Sequence, residues 1–255
     1  MPLDRVSVTR RLVDAGCVAA GEEADELIDA AGGDPDVLAG LVDRRSGGEP
    51  IAYLTGAVTF CGLRLFVTPG VYVPRWQSEP LARRAAGLLP SRGVAVDLCT
   101  GIGAIAAVMT SAVPTAVVLA TEIDVDAATC ARRNGVDVFE GFLDDPLPPA
   151  FERRVDVLTA VVPYVPTGAL RLLPRDVLAF EPRRALDGGV DGTDFLVKTA
   201  RRSVRWLRPG GWLLLELGGE QAGVMRPLLA ELGFEGMDVM TDEDGDPRAV
   251  RAQLG

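Results

Sequence analysis

The chain has 255 residues, 48% of them hydrophobic and 24% charged, a globular composition with room for one large α/β domain and a small appendage, and one that excludes wholesale disorder. Acidic residues outnumber basic ones 36 to 26, a net charge of −10, and the arginine pairs are spread along the chain, so nucleic acid is not an expected partner. There is no histidine, and Cys17, Cys61, Cys99 and Cys130 form no C-x-x-C pair, which argues against a zinc site, leaves no metal expected and removes a histidine-based triad.

The N-terminal stretch MPLDRVSVTR carries charge and no apolar core, so it does not read as a secretory signal, and the expected compartment is the cytoplasm. Residues 3–45 place apolar side chains at helical spacing, with Leu27, Ile28 and Ala31 followed by Val37, Leu38, Leu41 and Val42. Breaks are expected at Gly16, at Gly21 and at the turn Gly32-Gly33-Asp34-Pro35. Segments 57–60 and 63–67 flank Cys61-Gly62 and predict a β-hairpin, closed by a Pro69-Gly70 turn.

From residue 78 onward helices and strands alternate. The expected series is helix 78–89, strand 94–97, a helix after Gly103, strand 117–122, a helix capped by Asp124 and running to Asn134, then strands 136–140 and 155–161. Helix 192–207, strand 212–217, helix 221–232 and strands 235–239 and 249–252 complete it. Repeated strand-helix units predict a mainly parallel sheet covered on both faces, with a ligand at the carboxyl ends of its strands where strand order reverses. Residues 98–120 carry no charge and are long enough to cross a membrane, but Gly101, Gly103 and Pro114 make a buried loop, helix, turn and strand the better expectation.

The most informative stretch is 94–103, VAVDLCTGIG: an apolar run ending in Asp97, a turn through Gly101 and Gly103, and a helix directly after. Glycines let a backbone approach a ligand, and the helix start offers unpaired N–H groups. A second acid, Glu122, ends the next apolar run at roughly the twenty-residue spacing that places a carboxylate on ribose hydroxyls. Asp97 would repel a pyrophosphate, so it suits a ligand with a positive group, such as the amino end of S-adenosylmethionine. At the end of the strand over 155–161 stands VVPYVP, whose prolines and tyrosine make a stiff loop suited to positioning a methyl acceptor.

From Gly48 onward the chain resembles the HemK/PrmC family, class I S-adenosylmethionine-dependent methyltransferases that methylate the glutamine side-chain amide of peptide-chain release factors. The resemblance rests on GEPIAYLTG (48–56), FVTPGVYVPR (66–75), VDLCTGIG (96–103), ATEID (120–124), VVPY (161–164), FEPRRALDGGVDG (180–192) and RPGGWLLLELG (208–218). It implies a Rossmann-like α/β sheet of seven strands with the last antiparallel. In sequence, that means a helical N-terminal domain over 1–55, a β-hairpin linker over 56–76 and a cofactor-binding domain over 77–255. It would make Asp97, Cys99, Thr100, Gly101, Ile102 and Gly103 the loop at the methionine end of the cofactor. Glu122 would take the ribose, with Ile123 beside it, Phe142 and Leu143 would neighbour the adenine, and Val161 would face the cofactor as well.

Three departures stand out. Cys99 replaces the glycine usual in D-L-G-T-G, Phe142 stands where relatives often carry an aspartate, and the family's N-P-P-Y becomes Val161-Val162-Pro163-Tyr164. In the family the asparagine oxygen and the next residue's carbonyl accept hydrogen bonds from the amide NH₂ and aim its nitrogen at the methyl group. Valine has no acceptor, although the Val162 carbonyl and the Tyr164 ring remain. The expected activity is methyl transfer to a nitrogen, either a protein glutamine amide or a more nucleophilic group of a small metabolite. The alternative is a catalytically silent cofactor-binding or protein-interaction module, and methylation of adenine in DNA is opposed by Val161 and by the net charge. Glu79, Glu181 and Tyr164 are the candidate bases, the two glutamates being expected to pair with Arg75 or Arg183.

Overall fold

The computed structural model describes residues 4–255, so residue 3, the first of the stretch expected to be helical, lies outside it. Helices α1 (Arg5–Asp14), α2 (Ala20–Ala31), α3 (Pro35–Ser46) and α4 (Ile51–Thr55) come first. Asp4 caps α1 and Asp34 caps α3, each accepting backbone N–H bonds that the first turn leaves without helical partners. These helices close a core of their own from Val8, Leu12, Ala24, Leu27, Leu38 and Val42. Gly21 does not break the chain as expected: it lies in the first turn of α2, which ends instead at left-handed Gly32.

Strands β1 (Ala57–Phe60) and β2 (Leu63–Phe66) form the expected hairpin around Cys61-Gly62. Then follow α5 (Glu79–Leu88), β3 (Val94–Leu98), α6 (Ala104–Ala112), β4 (Val117–Glu122), α7 (Val125–Arg133) and β5 (Asp137–Glu140). The remainder is β6 (Val155–Ala160), α8 (Arg175–Phe180), α9 (Asp194–Trp206), β7 (Leu207–Glu216), α10 (Gln221–Glu231), β8 (Phe234–Thr241) and β9 (Pro247–Leu254).

Seven strands form one sheet in the order β5-β4-β3-β6-β7-β9-β8. The first five in that order are parallel, and β9 runs antiparallel to both its neighbours, so the Rossmann-like class I arrangement holds. Side chains alternate between two cores: Ala95 joins α5, α6 and α7 on one face, whereas Val96 and Leu98 join α9 and α10 on the other. The chain runs outward from β3 through β4 to β5, then returns to lay β6 on the other side of β3, so strand order reverses there. The uncharged stretch 98–120 folds into the end of β3, a loop, α6, a turn and part of β4, and among the described residues no helix is long and apolar enough to cross a membrane.

Candidate active site

Because β3 and β6 flank the reversal point, the loops that follow them, 99–103 and 161–164, open onto one crevice. In the first loop Cys99, Gly101 and Gly103 all take left-handed conformations, with φ of +54°, +59° and +84°. The two glycines do different things. A Cβ on Gly101 would meet nothing within 4 Å, so its backbone faces open space, whereas a Cβ on Gly103 would come within 2.7 Å of Val136 Cγ2. Gly103 therefore lets the start of α6 pack closely on its neighbour.

Asp97 is 1% exposed and accepts hydrogen bonds from the Thr100 hydroxyl at 2.5 Å and the Thr159 hydroxyl at 2.7 Å. Burial pushes its carboxyl up to about 6, against the pull of the two hydroxyls. Glu122, at the end of β4, receives three backbone N–H groups: Gly101 on Oε2 at 2.8 Å, and Ile123 and Asp124 on Oε1, both at 2.9 Å. Burial raises its carboxyl above the ordinary glutamate value, and those three donors hold it down. Burial, with the charges of Glu122 and Asp97, pushes the Cys99 thiol far up, so it is protonated and not a nucleophile.

Two cavities meet here. The larger, about 730 Å³, brings together Cys99, Gly101, Glu122 and Ile123 with Val161, Val162, Pro163 and Tyr164. The smaller, about 400 Å³, is lined by Asp97, Thr100 and Ile102 and by Phe60, Pro74 and Ser78. Tyr72, Cys99, Gly101 and Val161 line both, so these four stand where the cavities meet. Gly103, Phe142 and Leu143 line neither cavity. Leu143 is 2% exposed in the core, and Phe142 meets Phe195 edge-on at 6.2 Å with the Arg202 guanidinium over its ring.

The segment 182–186 roofs the larger cavity, and Arg184 pairs across it with Asp124, the cap of α7. One end of that roof is held by the Arg75–Glu181 ion pair and the other by a parallel bridge between Val165 and Asp187. Glu181 thus takes the structural partner expected of it. Glu79 does not: it accepts the Cys61 N–H at 2.7 Å and pairs with Arg83, one helical turn away, while Arg183 pairs with Asp187.

Sequence reading missed Tyr72, which the segment between β2 and α5 carries into both cavities, and Glu216 at the end of β7. The Tyr164 hydroxyl donates to Glu216 Oε1 at 3.0 Å, and the Gln221 amide donates to the Tyr164 carbonyl at 2.7 Å. The signal for Glu216 was present: it is an acid at the carboxyl end of a parallel strand, as Asp97 and Glu122 are.

The walls fit the S-adenosylmethionine expected from the sequence. Open space stands over the Gly101 backbone where any side chain would project, and acids flank it on neighbouring strands. Among the described residues no group of three or more His, Cys, Asp or Glu could hold a metal ion.

No protein-family model matches the chain. It is 36% identical over 230 residues to a release factor glutamine methyltransferase of Geobacter sulfurreducens, an alignment covering 87% of this chain and 80% of the relative. It is 34% identical over 236 residues to the 4-amino-L-phenylalanine/4-methylamino-L-phenylalanine methyltransferase of Streptomyces pristinaespiralis, covering 88% of this chain and 80% of that one. Among solved structures, a methyltransferase from Pyrococcus furiosus superimposes with a TM-score of 0.54 at 22% identity, over 76% of this chain and 90% of that one.

Proposed function

The chain belongs to the release factor glutamine methyltransferase family and is an S-adenosylmethionine-dependent methyltransferase; on that premise we propose that its acceptor is the amine nitrogen of a small molecule, of the arylamine type, and not a protein glutamine amide. The observation that carries this reading is Val161. It lines both cavities at the position where the family's asparagine accepts an amide N–H, and it offers no acceptor.

An amide nitrogen has its lone pair delocalised into the carbonyl and depends on being aimed. Losing one positioning bond costs on the order of 1–3 kcal/mol, roughly tenfold to a hundredfold in rate. An arylamine keeps more of its lone pair on nitrogen and needs less help. The Streptomyces pristinaespiralis relative, 34% identical over 236 residues, is named for such an amine, which supports this reading.

On this reading the loop from Asp97 to Gly103 holds the methionine end of the cofactor, with Asp97 facing its ammonium, and Glu122 and Ile123 hold the nucleoside. When bound, S-adenosylmethionine supplies an electrophilic methyl on a sulfonium. The chain's part is orientation and exclusion of water: Val161 and Tyr72 wall the acceptor, the Val162 carbonyl takes one N–H, and the roof over 182–186 closes above them. The linker over 56–76, between the helical domain over 1–55 and the cofactor domain over 77–255, carries Phe60 and Tyr72 to the site.

The test offers purified protein S-adenosylmethionine with 4-amino-L-phenylalanine in one arm and a release factor in the other, following S-adenosylhomocysteine and acceptor mass. Methylation of the aryl amine is expected, and turnover on the release factor alone overturns the reading. Val161→Asn is expected to raise methylation of the release factor glutamine by roughly tenfold to a hundredfold. No gain would show that more than one residue of the acceptor wall has been rebuilt.

A further inference from the structure

Glu216 is the buried acid that the account so far leaves without a task. It ends β7, is 4% exposed, and uses one oxygen to accept the Tyr164 hydroxyl at 3.0 Å. Its other oxygen, Oε2, is buried and lacks a hydrogen bond of good geometry among the described residues, although the Ser78 hydroxyl stands near the carboxylate. A buried carboxylate oxygen without a well-formed hydrogen bond is costly, and native structures retain such atoms mostly where function needs them. Tyr164, its partner, lines the cavity that Val161 shares.

Chemistry supplies the need. A neutral amine that gains a methyl from a sulfonium forms an N–C bond as the S–C bond breaks, and its nitrogen then carries the positive charge and a surplus proton. That proton must leave before the product is neutral, or before a second methyl can be accepted. The larger cavity is roofed by residues 182–186 and walled mostly by apolar side chains, so bulk water is a poor recipient.

We propose that Tyr164 and Glu216 form a proton relay for the methylated nitrogen. The Tyr164 hydroxyl, having donated its hydrogen to Glu216, presents a lone pair that accepts the N–H of the acceptor. As the nitrogen loses its proton to the Tyr164 oxygen, the phenolic proton passes to Glu216, which becomes a neutral acid and later returns it to solvent. Charge balances: the sulfonium becomes a thioether, the nitrogen ends neutral, and the carboxylate ends protonated.

The surroundings suit this traffic. Burial raises the Glu216 carboxyl above the ordinary glutamate value, while the Tyr164 and Ser78 hydroxyls and the Arg248 charge on β9 pull it down. Tyr72, from the linker, completes the ionisable set around the pair, and burial together with the Glu216 charge holds both tyrosines protonated. The same bond replaces part of what Val161 has lost, since the Tyr164 oxygen is an acceptor beside a wall that has none.

The relay rests on the amine acceptor proposed above, and two measurements keep the two ideas apart. The first needs no substrate. The chain has three tyrosines, so ¹³Cζ-tyrosine labelling of the cofactor-free protein, with Tyr164→Phe to assign the signal, follows the Tyr164 phenol as pH changes. Its resonance is expected to titrate with a midpoint above the ordinary glutamate value, and the titration is expected to vanish in Glu216→Gln. A Tyr164 signal that does not respond to pH between 4 and 9 overturns the relay, whatever the acceptor is.

The second measurement is turnover of 4-amino-L-phenylalanine, with thermal melting and cofactor binding confirming that each variant is folded. Glu216→Gln is expected to lower kcat about a hundredfold with KM within about twofold and, at saturating S-adenosylmethionine, to abolish the fall in kcat at acid pH expected of the unaltered chain. Tyr164→Phe is expected to give the same loss. An unchanged kcat and profile in Glu216→Gln overturns the relay and leaves the amine reading standing. Absence of turnover in the unaltered chain overturns the amine reading and the relay together.

Discussion

Cys99 carries a side chain in a left-handed backbone conformation, φ +54°, at the lip of both cavities. That conformation costs a non-glycine residue about 1–2 kcal/mol, which accounts physically for the glycine usual in the family at this position. Cys99→Gly is expected to stabilise the chain by about 1 kcal/mol, somewhat offset by the greater freedom of glycine when unfolded. Denaturant midpoints at equal m-value measure it, and a loss of stability would show that the thiol's packing outweighs the strain. Asp97 makes a prediction in pH. Its carboxyl, pushed up to about 6 in the fold, is protonated below that pH, so holding a ligand ammonium requires the proton to leave. The dissociation constant for S-adenosylmethionine is therefore expected to rise about tenfold per pH unit below 6 and to be flat above it. The same shift has the opposite sign for folding. Because the folded state binds the proton more tightly than the unfolded chain, stability without cofactor falls as pH rises from the ordinary aspartate value to 6. Calorimetry between pH 5 and 8 tests the binding half, and a flat profile removes Asp97 from the ammonium. At this scale sequence reading reached Asp97, Glu122 and Val161, because each ends an apolar run in a recognisable motif. It could not reach the Tyr164–Glu216 bond, which joins two strand ends far apart in the chain.

Asn134 shows how one side chain can hold elements together. It stands just after α7, accepts the Phe66 N–H on Oδ1 at 2.7 Å, and donates from Nδ2 to the Phe66 carbonyl at 3.0 Å and the Ile102 carbonyl at 2.9 Å. The hairpin strand β2 is thereby tied to the loop over 99–103. Asn134→Ala is expected to cost about 2–3 kcal/mol, since it strands partly buried backbone groups on two elements at once. Urea unfolding measures this, and a cost below about 0.5 kcal/mol would mean that water replaces the amide without loss. Sequence reading took Asn134 only as the end of a helix, its tertiary role being invisible to local pattern. The cap at Asp124 was legible because capping is local: its carboxylate accepts the Asp126 and Ala127 N–H groups. Strand β7 was read as starting at 212 because Pro209-Gly210-Gly211 carries turn chemistry, yet it runs from Leu207, with a register shift opposite Val155–Val157 absorbing the irregularity. Helices α4 and α8 span only 51–55 and 175–180, too short for periodicity to announce them.

Across the whole molecule, alternation of strand and helix was enough to imply a parallel sheet covered on both faces, but strand order was not legible from pattern alone. It reflects which edges remain available as each strand is laid down, and only the antiparallel direction of the last strand, not its place in the order, was implied by family resemblance. The net charge of −10 is a whole-molecule property too, and it predicts no measurable retention of duplex DNA at physiological salt. A mobility shift that fades as salt is raised would show that the arginines gather on one face after all. The insertion of β9 between β7 and β8 has a consequence for biosynthesis. Until residues 247–254 leave the ribosome, β7 and β8 each present a bare row of N–H and C=O groups. The nascent chain therefore keeps its sheet open at these edges until residues 247–254 emerge, and its solubility meanwhile depends on how quickly the β8–β9 hairpin closes or on a chaperone covering those edges.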